Sequence, residues 1–222
     1  MNGLAERVLK SPDAPNVFLA IQKALQEEAQ RRHEFREWVD DSFKAEFING
    51  EVIVHSPVKT KHWQASDFLS TLLSVYTKFK KLGSVGVEKV MITLTRNDYE
   101  PDIVFFKNEK AALFQKNQVF FPAPDFVVEI LSSRTASKDK GIKKTDYAAH
   151  GIREYWIIDP ERQRIQQFLL LNDYDKSYFE PYTFTIDEDI ESFVVTGFKI
   201  PVRAIFEADA NTAALKNLFS NP

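Results

Sequence analysis

The run PDFVVEIL at 124–131 most narrows what this chain can become. It is almost continuously apolar, the pattern of a strand buried on both faces of a sheet. A second such run, EYWIID at 154–159, ends at Pro160. Between them, residues 136–150 read as a helix closed by Gly151. Strand, helix and strand in that order predict a right-handed βαβ crossover with two parallel strands side by side. The class is therefore α/β.

Side chains alternate along a strand, so Val127, Glu129 and Leu131 point one way and Phe126, Val128 and Ile130 the other. Glu129 is thus a carboxylate inserted into an apolar strand. Such a charge costs several kcal/mol unless it finds a cation, a hydrogen-bonding partner or a raised pKa. A second carboxylate stands in YEPDIVFF at 99–106, where Asp102 opens the preceding predicted strand and Pro101 helps fix its start. Two acids from neighbouring strands can converge at one end of the sheet. Their mutual repulsion is relieved by a hard divalent cation such as Mg²⁺, which binds one or two carboxylates, water and substrate phosphate. Glu100, one residue off, is expected to face away and lie at the surface. On the following helix, Asp139, Lys143 and Tyr147 fall at i, i+4 and i+8 and share one face. Lys143 either reaches the carboxylate pair, to hold a water or offset charge on a phosphate, or stays a surface ammonium paired with Asp139.

Residues 14–40 read as one helix or two. In AEFINGEVIVHSP, Asn49-Gly50 is a type I′ hairpin signal that pairs 45–48 with 51–55 and puts Glu46 near the base of the first strand. From His62 to Lys81, Leu69, Leu72, Leu73, Tyr76 and Phe79 carry the spacing of an amphipathic helix with Gly83 as its stop. Residues 85–95 and 101–107 follow as strands. RIQQFLLL, SYFEPYTFTI and SFVVTGFKIPV read as further strands. The sum is a mixed sheet with helices on its faces and antiparallel strands towards the C-terminus. No internal repeat and no Gly- or Ser-rich linker divides the 222 residues.

Composition removes several functions. With no cysteine there is no disulfide, thiolate metal site or cysteine nucleophile. The first residues lack the apolar core of a signal peptide, and no stretch approaches a membrane helix, so a soluble cytoplasmic protein without membrane contact is expected. Four histidines show no zinc-hydrolase spacing, and no nucleophile elbow, P-loop or dinucleotide fingerprint occurs. Trp156 reads as core. A net charge of -3 argues against a dedicated nucleic-acid scaffold. It leaves room for an enzyme with a local basic patch, and Arg134, Lys138, Lys140, Lys143 and Lys144 supply one, with Asp139 opposing.

PDIVFF, followed by PDFVVEILSSRTASKDKGIKKTDYAAHGIREYWIIDP, resembles the Uma-type restriction endonuclease family of the PD-(D/E)XK superfamily. The matching spacing runs from Ser132 through Asp139, Lys143, Tyr147 and Gly151 to Glu154, Tyr155, Trp156 and Asp159-Pro160. The hairpin with His62 and the closing GFKIPVRAIF extend the likeness over residues 35–208, leaving 1–34 as an N-terminal helical extension and 209–222 as a tail. The resemblance implies a restriction-endonuclease-like mixed β-sheet flanked by helices and a metal-dependent endonuclease cutting nucleic acid, DNA first. In it Asp102 and Glu129 bind Mg²⁺ or Mn²⁺. The superfamily's lysine, two residues after the second acid, is replaced here by Leu131, and Lys143 stands where the family moves that lysine onto the helix. Glu46 matches an acid of the opening hairpin, while His62, Lys140 and Tyr147 are candidate phosphate or substrate contacts. A homodimer is implied by analogy with two-strand cutters. Two alternatives stand beside this: a non-catalytic nucleic-acid- or protein-binding module with the same fold, and a metal-dependent hydrolase of small phosphoesters.

Overall fold

The computed structural model describes residues 3–40 and 42–220. The outermost residues of the expected extension (1–34) and tail (209–222) lie outside that range. The chain divides into two compact units, Met1–His55 with Thr95–Asp98, and Ser56–Leu94 with Tyr99–Pro222.

The smaller unit begins with helices α1 (Gly3–Leu9) and α2 (Ala14–Trp38). Residues 14–38 form one helix, with proline tolerated in its first turn. Strands β1 (Ala45–Ile48) and β2 (Glu51–Val54) pair antiparallel through Ile48↔Glu51. Asn49 and Gly50, at φ 49° and 86°, take the positive-φ corner that a type I′ turn demands. Phe47 of β1 pairs with Asp98. The Asp98 carboxylate is gripped by both guanidinium groups of α2: Arg32 at 2.7 and 2.8 Å, and Arg36 at 2.8 and 2.9 Å.

The larger unit opens with α3 (Thr60–Lys80), followed by β3 (Gly83–Val87), β4 (Met91–Thr93) and β5 (Asp98–Tyr99), whose first residue belongs to the smaller unit. The single strand expected over 85–95 is two strands. Glu88 and Lys89 both take positive φ, at 44° and 43°, and turn the chain between them. Then come β6 (Ile103–Lys107), α4 (Asn108–Ala111), β7 (Phe120–Phe121) and β8 (Phe126–Ile130). The expected helix at 136–150 is composite: α5 (Ala136–Lys138), a π-helical turn Asp139–Lys143, and α6 (Lys144–Ala149). Strands β9 (Glu154–Asp159), β10 (Arg164–Leu169), β11 (Tyr182–Thr185), β12 (Asp189–Glu191) and β13 (Lys199–Pro201) complete the sheets. A 3-10 turn Val202–Ile205 and helix α7 (Ala208–Ser220) close the chain.

Six strands form one sheet in the order β11-β10-β9-β8-β6-β3. Only β8 and β9 run parallel, with α5, the π turn and α6 as their crossover; the other pairs are antiparallel. The sheet is mixed, as expected. Leu69, Leu72, Leu73 and Tyr76 of α3 pack with Phe126, Val128 and Ile130 of β8 and with Trp156 of β9 in the main core. The even-numbered side chains of β8 thus face α3, leaving Glu129 for the crossover side. Phe79 lies outside that core, 53% exposed. The helix stops at Lys81, in the left-handed region at φ 55°, rather than at Gly83. Gly83 serves a close approach instead: a Cβ there would lie 2.0 Å from the Phe106 carbonyl oxygen. Gly83→Ala is therefore expected to cost about 3 kcal/mol by overpacking against backbone, which urea unfolding measures directly.

Two C-terminal runs give shorter strands than their composition suggests. The cause for SFVVTGFKIPV is Glu154, fully buried at the start of β9. Its carboxylate accepts from Trp156 Nε1 (2.7 Å), Gln167 Nε2 (2.7 Å), Ser192 Oγ (2.6 Å) and the Val194 amide (2.8 Å). Those bonds fold 192–197 into a turn, with Gly197 at φ 75°. Burial pushes the Glu154 carboxyl pKa up, and the four donors oppose that shift. In the other run Pro181, which cannot donate to a ladder, precedes β11. Among the described residues no helix is long and apolar enough to cross a membrane.

Candidate active site

The pairing of β6 with β8 sets Ile103 opposite Val128. One step further along that register, Asp102 and Glu129 stand at the same end of adjacent strands. Both are buried. Asp102 Oδ2 accepts the Ile130 amide at 2.8 Å and lies 3.3 Å from His62 Nε2. The Asp102 carbonyl accepts the Glu88 amide at 2.9 Å, so backbone and side chain are both fixed. His62 sits in the first turn of α3, buried and turned towards Asp102 rather than capping the helix.

Glu129 Oε1 accepts two hydrogen bonds, from Lys143 Nζ at 2.9 Å and from the Tyr147 hydroxyl at 2.9 Å. Lys143 is 1% exposed and also lies 3.4 Å from Asp139 Oδ1. It does not project to solvent, so the surface alternative for this lysine is removed. The π-helical turn explains how. Residues Asp139 and Lys143 span that turn, and both side chains are buried in it. Its fifth-residue hydrogen bonding widens the helix at the point where charged groups face the sheet, a placement such turns often have.

Tyrosines wall the lysine in. The ammonium lies 5.8 Å from the Tyr99 ring centroid. Tyr99 and Tyr147 meet edge to face at 5.3 Å, as do Tyr147 and Tyr155 at 5.2 Å. Tyr99 donates to Asp146 Oδ2 at 2.8 Å, and Tyr155 to the Asp139 carbonyl at 3.1 Å. The Tyr155 hydroxyl pKa is held well above its usual value, first by burial, then by negative charge on Glu129, Asp139 and Asp102 among others. Two buried carboxylates on one lysine, with buried Asp102 on the adjacent strand, leave the locality rich in negative charge.

The sequence-derived residues divide as follows. His62 meets Asp102, while Lys143 and Tyr147 both meet Glu129 on the adjacent strand. Lys140 is exposed on the π turn, and Arg134 bonds Ser56 Oγ just ahead of α3. Lys143 leaves the basic patch for the interior. Glu46 lies in the smaller unit, fully buried, 3.0 Å from His55 Nε2. Glu100 corrects an expectation: it is 4% exposed, lying between β5 and β6 in a stretch, 99–106, that is buried throughout. Asp139, Tyr99 and Tyr155 were not singled out from sequence as site residues. Asp139 is buried within the π turn, whereas Tyr99 and Tyr155 are buried on β5 and β9.

Among the described residues no three His, Cys, Asp or Glu side chains are grouped tightly enough to enclose a metal ion. Mg²⁺ does not require such a cage, since it keeps several waters and takes one or two carboxylates plus substrate oxygens. The donors present are hard oxygens in an acid-rich locality, the kind that suits a hard divalent cation rather than a soft metal.

A family model described as "Uma2: Putative restriction endonuclease" matches residues 32–202. No curated protein gives a significant match. Among solved structures, the fold is similar to a "putative nuclease belonging to DUF820" from Anabaena variabilis, with TM-score 0.67 and 19% identity. The likeness covers 78% of this chain and 96% of that one, and at this identity it speaks for the fold.

Proposed function

This chain belongs to the Uma2 family, and from that premise we propose that it is a metal-dependent endonuclease hydrolysing phosphodiester bonds, with DNA as the first substrate. The reading is carried by one observation, the buried contact of Lys143 with Glu129 beside an Asp102 fixed by the Ile130 amide. The nuclease function is assigned to residues 35–208.

Asp102 and Glu129 are the side chains that would hold Mg²⁺ or Mn²⁺. When bound, the ion supplies Lewis acidity at the scissile phosphate and a water of lowered pKa. The protein's own groups do the positioning. The Ile130 amide and His62 orient Asp102, while the Tyr147 hydroxyl and Lys143 orient Glu129. Lys143 Nζ, with three N–H donors, would direct the attacking water or offset charge building on the phosphate. Arg134, Lys138 and Lys140 then follow the nucleic-acid backbone, adding salt-dependent, sequence-blind affinity. A soluble, cytoplasmic setting is consistent with that substrate.

A second reading, a nucleic-acid- or protein-binding module without catalysis, draws on Leu131 in the usual lysine position and on the ion pairs Lys143 makes with Glu129 and Asp139. The two separate when plasmid, single-stranded DNA and RNA are incubated with the protein in Mg²⁺, Mn²⁺ or EDTA. Metal-dependent cleavage, suppressed in EDTA, is expected. Nucleic-acid binding without cleavage in either metal would select the module.

A further inference from the structure

The chain has three tryptophans. Trp156 is buried and donates its Nε1 to Glu154, and Trp38 packs on Phe43 at 4.5 Å between ring centroids. Trp63 differs from both. It is 55% exposed, and among the described residues its indole has neither a hydrogen-bond nor a ring partner. It stands in the first turn of α3, directly after His62, whose Nε2 lies 3.3 Å from Asp102. His62, Leu69 and Leu73 belong to the buried face of α3. Successive helical residues step by about 100°, so Trp63 is turned onto one flank of the helix and Lys61 onto the other. Lys61 bonds Glu161 in the turn between β9 and β10 at 2.8 Å. With the sheet ordered β9-β8-β6, the Trp63 flank therefore lies to the side of β6, the strand that Asp102 precedes. Lys59, four residues before Trp63 and on the same flank, is exposed. Arg134, also exposed, bonds Ser56 just ahead of the helix. The only acid of α3, Asp67, lies one turn further along.

We propose that Trp63 is a stacking platform for an unpaired nucleobase of the strand being cut, so that single-stranded or locally unpaired nucleic acid is the preferred substrate. The inference rests on the nuclease reading for the identity of the neighbouring site. Base faces inside a duplex are covered by the adjacent pairs, and an indole reaches one only where the strand is unpaired. Every base offers a π face, so the contact is tolerant of sequence. Lys59 and Arg134 supply the positive charge that phosphates on either side of the stacked base require, which makes the hold salt-dependent. A stacked base also fixes the register of the strand relative to Asp102 and Glu129. Trp63 is then a residue that selects substrate, and the chemistry stays with the carboxylates and Lys143.

Binding is read by fluorescence polarisation in EDTA at low salt, with a labelled DNA strand of about 16 nucleotides and a blunt hairpin duplex of the same length. The wild type should hold the single strand more tightly than the duplex. Trp63→Ala should weaken the single strand about 10-fold or more, and Trp63→Phe, which keeps a ring, should restore most of that affinity. Phe79→Ala, at an exposed aromatic about 24 Å along the same helix, should change nothing. A strand of equal length without bases separates stacking from phosphate contact, and on it wild type and Trp63→Ala should bind alike. Undiminished affinity of Trp63→Ala for the single strand overturns the proposal. So does an equal loss on the abasic strand, a tighter hold on the duplex, or no binding by the wild type. Cleavage in Mg²⁺ is scored separately on the same strands. Trp63-dependent binding without cleavage removes the nuclease reading and leaves the stacking. Cleavage by a wild type whose binding ignores Trp63 removes the stacking alone.

Discussion

Lys143→Met should lose about 100-fold or more of cleavage activity and about 3–5 kcal/mol of stability. Methionine keeps most of the volume, so packing is not the cause. The cause is the pair of carboxylates left behind. Lys143 Nζ stands 2.9 Å from Glu129 and 3.4 Å from Asp139, with all three side chains buried. Removing the ammonium from those contacts costs two buried carboxylates their shared cation, a far larger loss than breaking an exposed pair of the same geometry. Melting temperature should fall by roughly 10 °C. Adding Glu129→Gln to Lys143→Met removes one of the two carboxylate charges and should restore part of the stability while leaving activity absent. That split, seen in a double-mutant cycle, distinguishes the electrostatic account from loss of packing. Equal destabilisation in the single and double variants would sink it.

The second large effect lies in the smaller unit. Asp98→Ala should cost about 3 kcal/mol, the low end for breaking a buried pair, because Arg36 keeps some access to water. Burial alone would raise the Asp98 pKa, yet the hydrogen bonds and charges of Arg32 and Arg36 outweigh it and hold the carboxyl below its ordinary 3.8. The sign for stability follows from that direction. A carboxyl depressed in the folded state stabilises it fully above the unfolded pKa. The contribution fades as pH falls through the folded pKa. Urea unfolding at neutral pH should therefore separate wild type from Asp98→Ala widely, and the gap should narrow in acid below 3.8. A gap that stays constant across that range would contradict the ion-pair origin of the effect.

Much of this was legible in the residues. The alternation in PDFVVEIL placed Phe126, Val128 and Ile130 in the core and Glu129 on the opposite face. Asn49-Gly50 marked a hairpin because both residues take the positive φ of a type I′ turn at little cost. Tertiary contacts decided the rest. Helical spacing put Asp139, Lys143 and Tyr147 on one face but left open whether Lys143 met the carboxylates or water, and a periodicity of 3.6 gives no warning of a π turn. Glu100 was misjudged since it lies between two strands, in a connection that is itself buried. The apolar letters of SFVVTGFKIPV suggested a long strand, but Glu154, 38 residues before Ser192, claims the backbone there. Sequence spacing does not reveal a partner that distant.

The central claim is that Asp102 and Glu129, aided by Lys143, form a metal-dependent cleavage site. It is met most directly by plasmid nicking in Mg²⁺ with wild type and Asp102→Asn side by side. The substitution keeps the size of the side chain and its acceptor for the Ile130 amide. The expected result is nicking by wild type that EDTA abolishes, with Asp102→Asn folded but inactive. Nicking at the wild-type rate by Asp102→Asn would contradict the account.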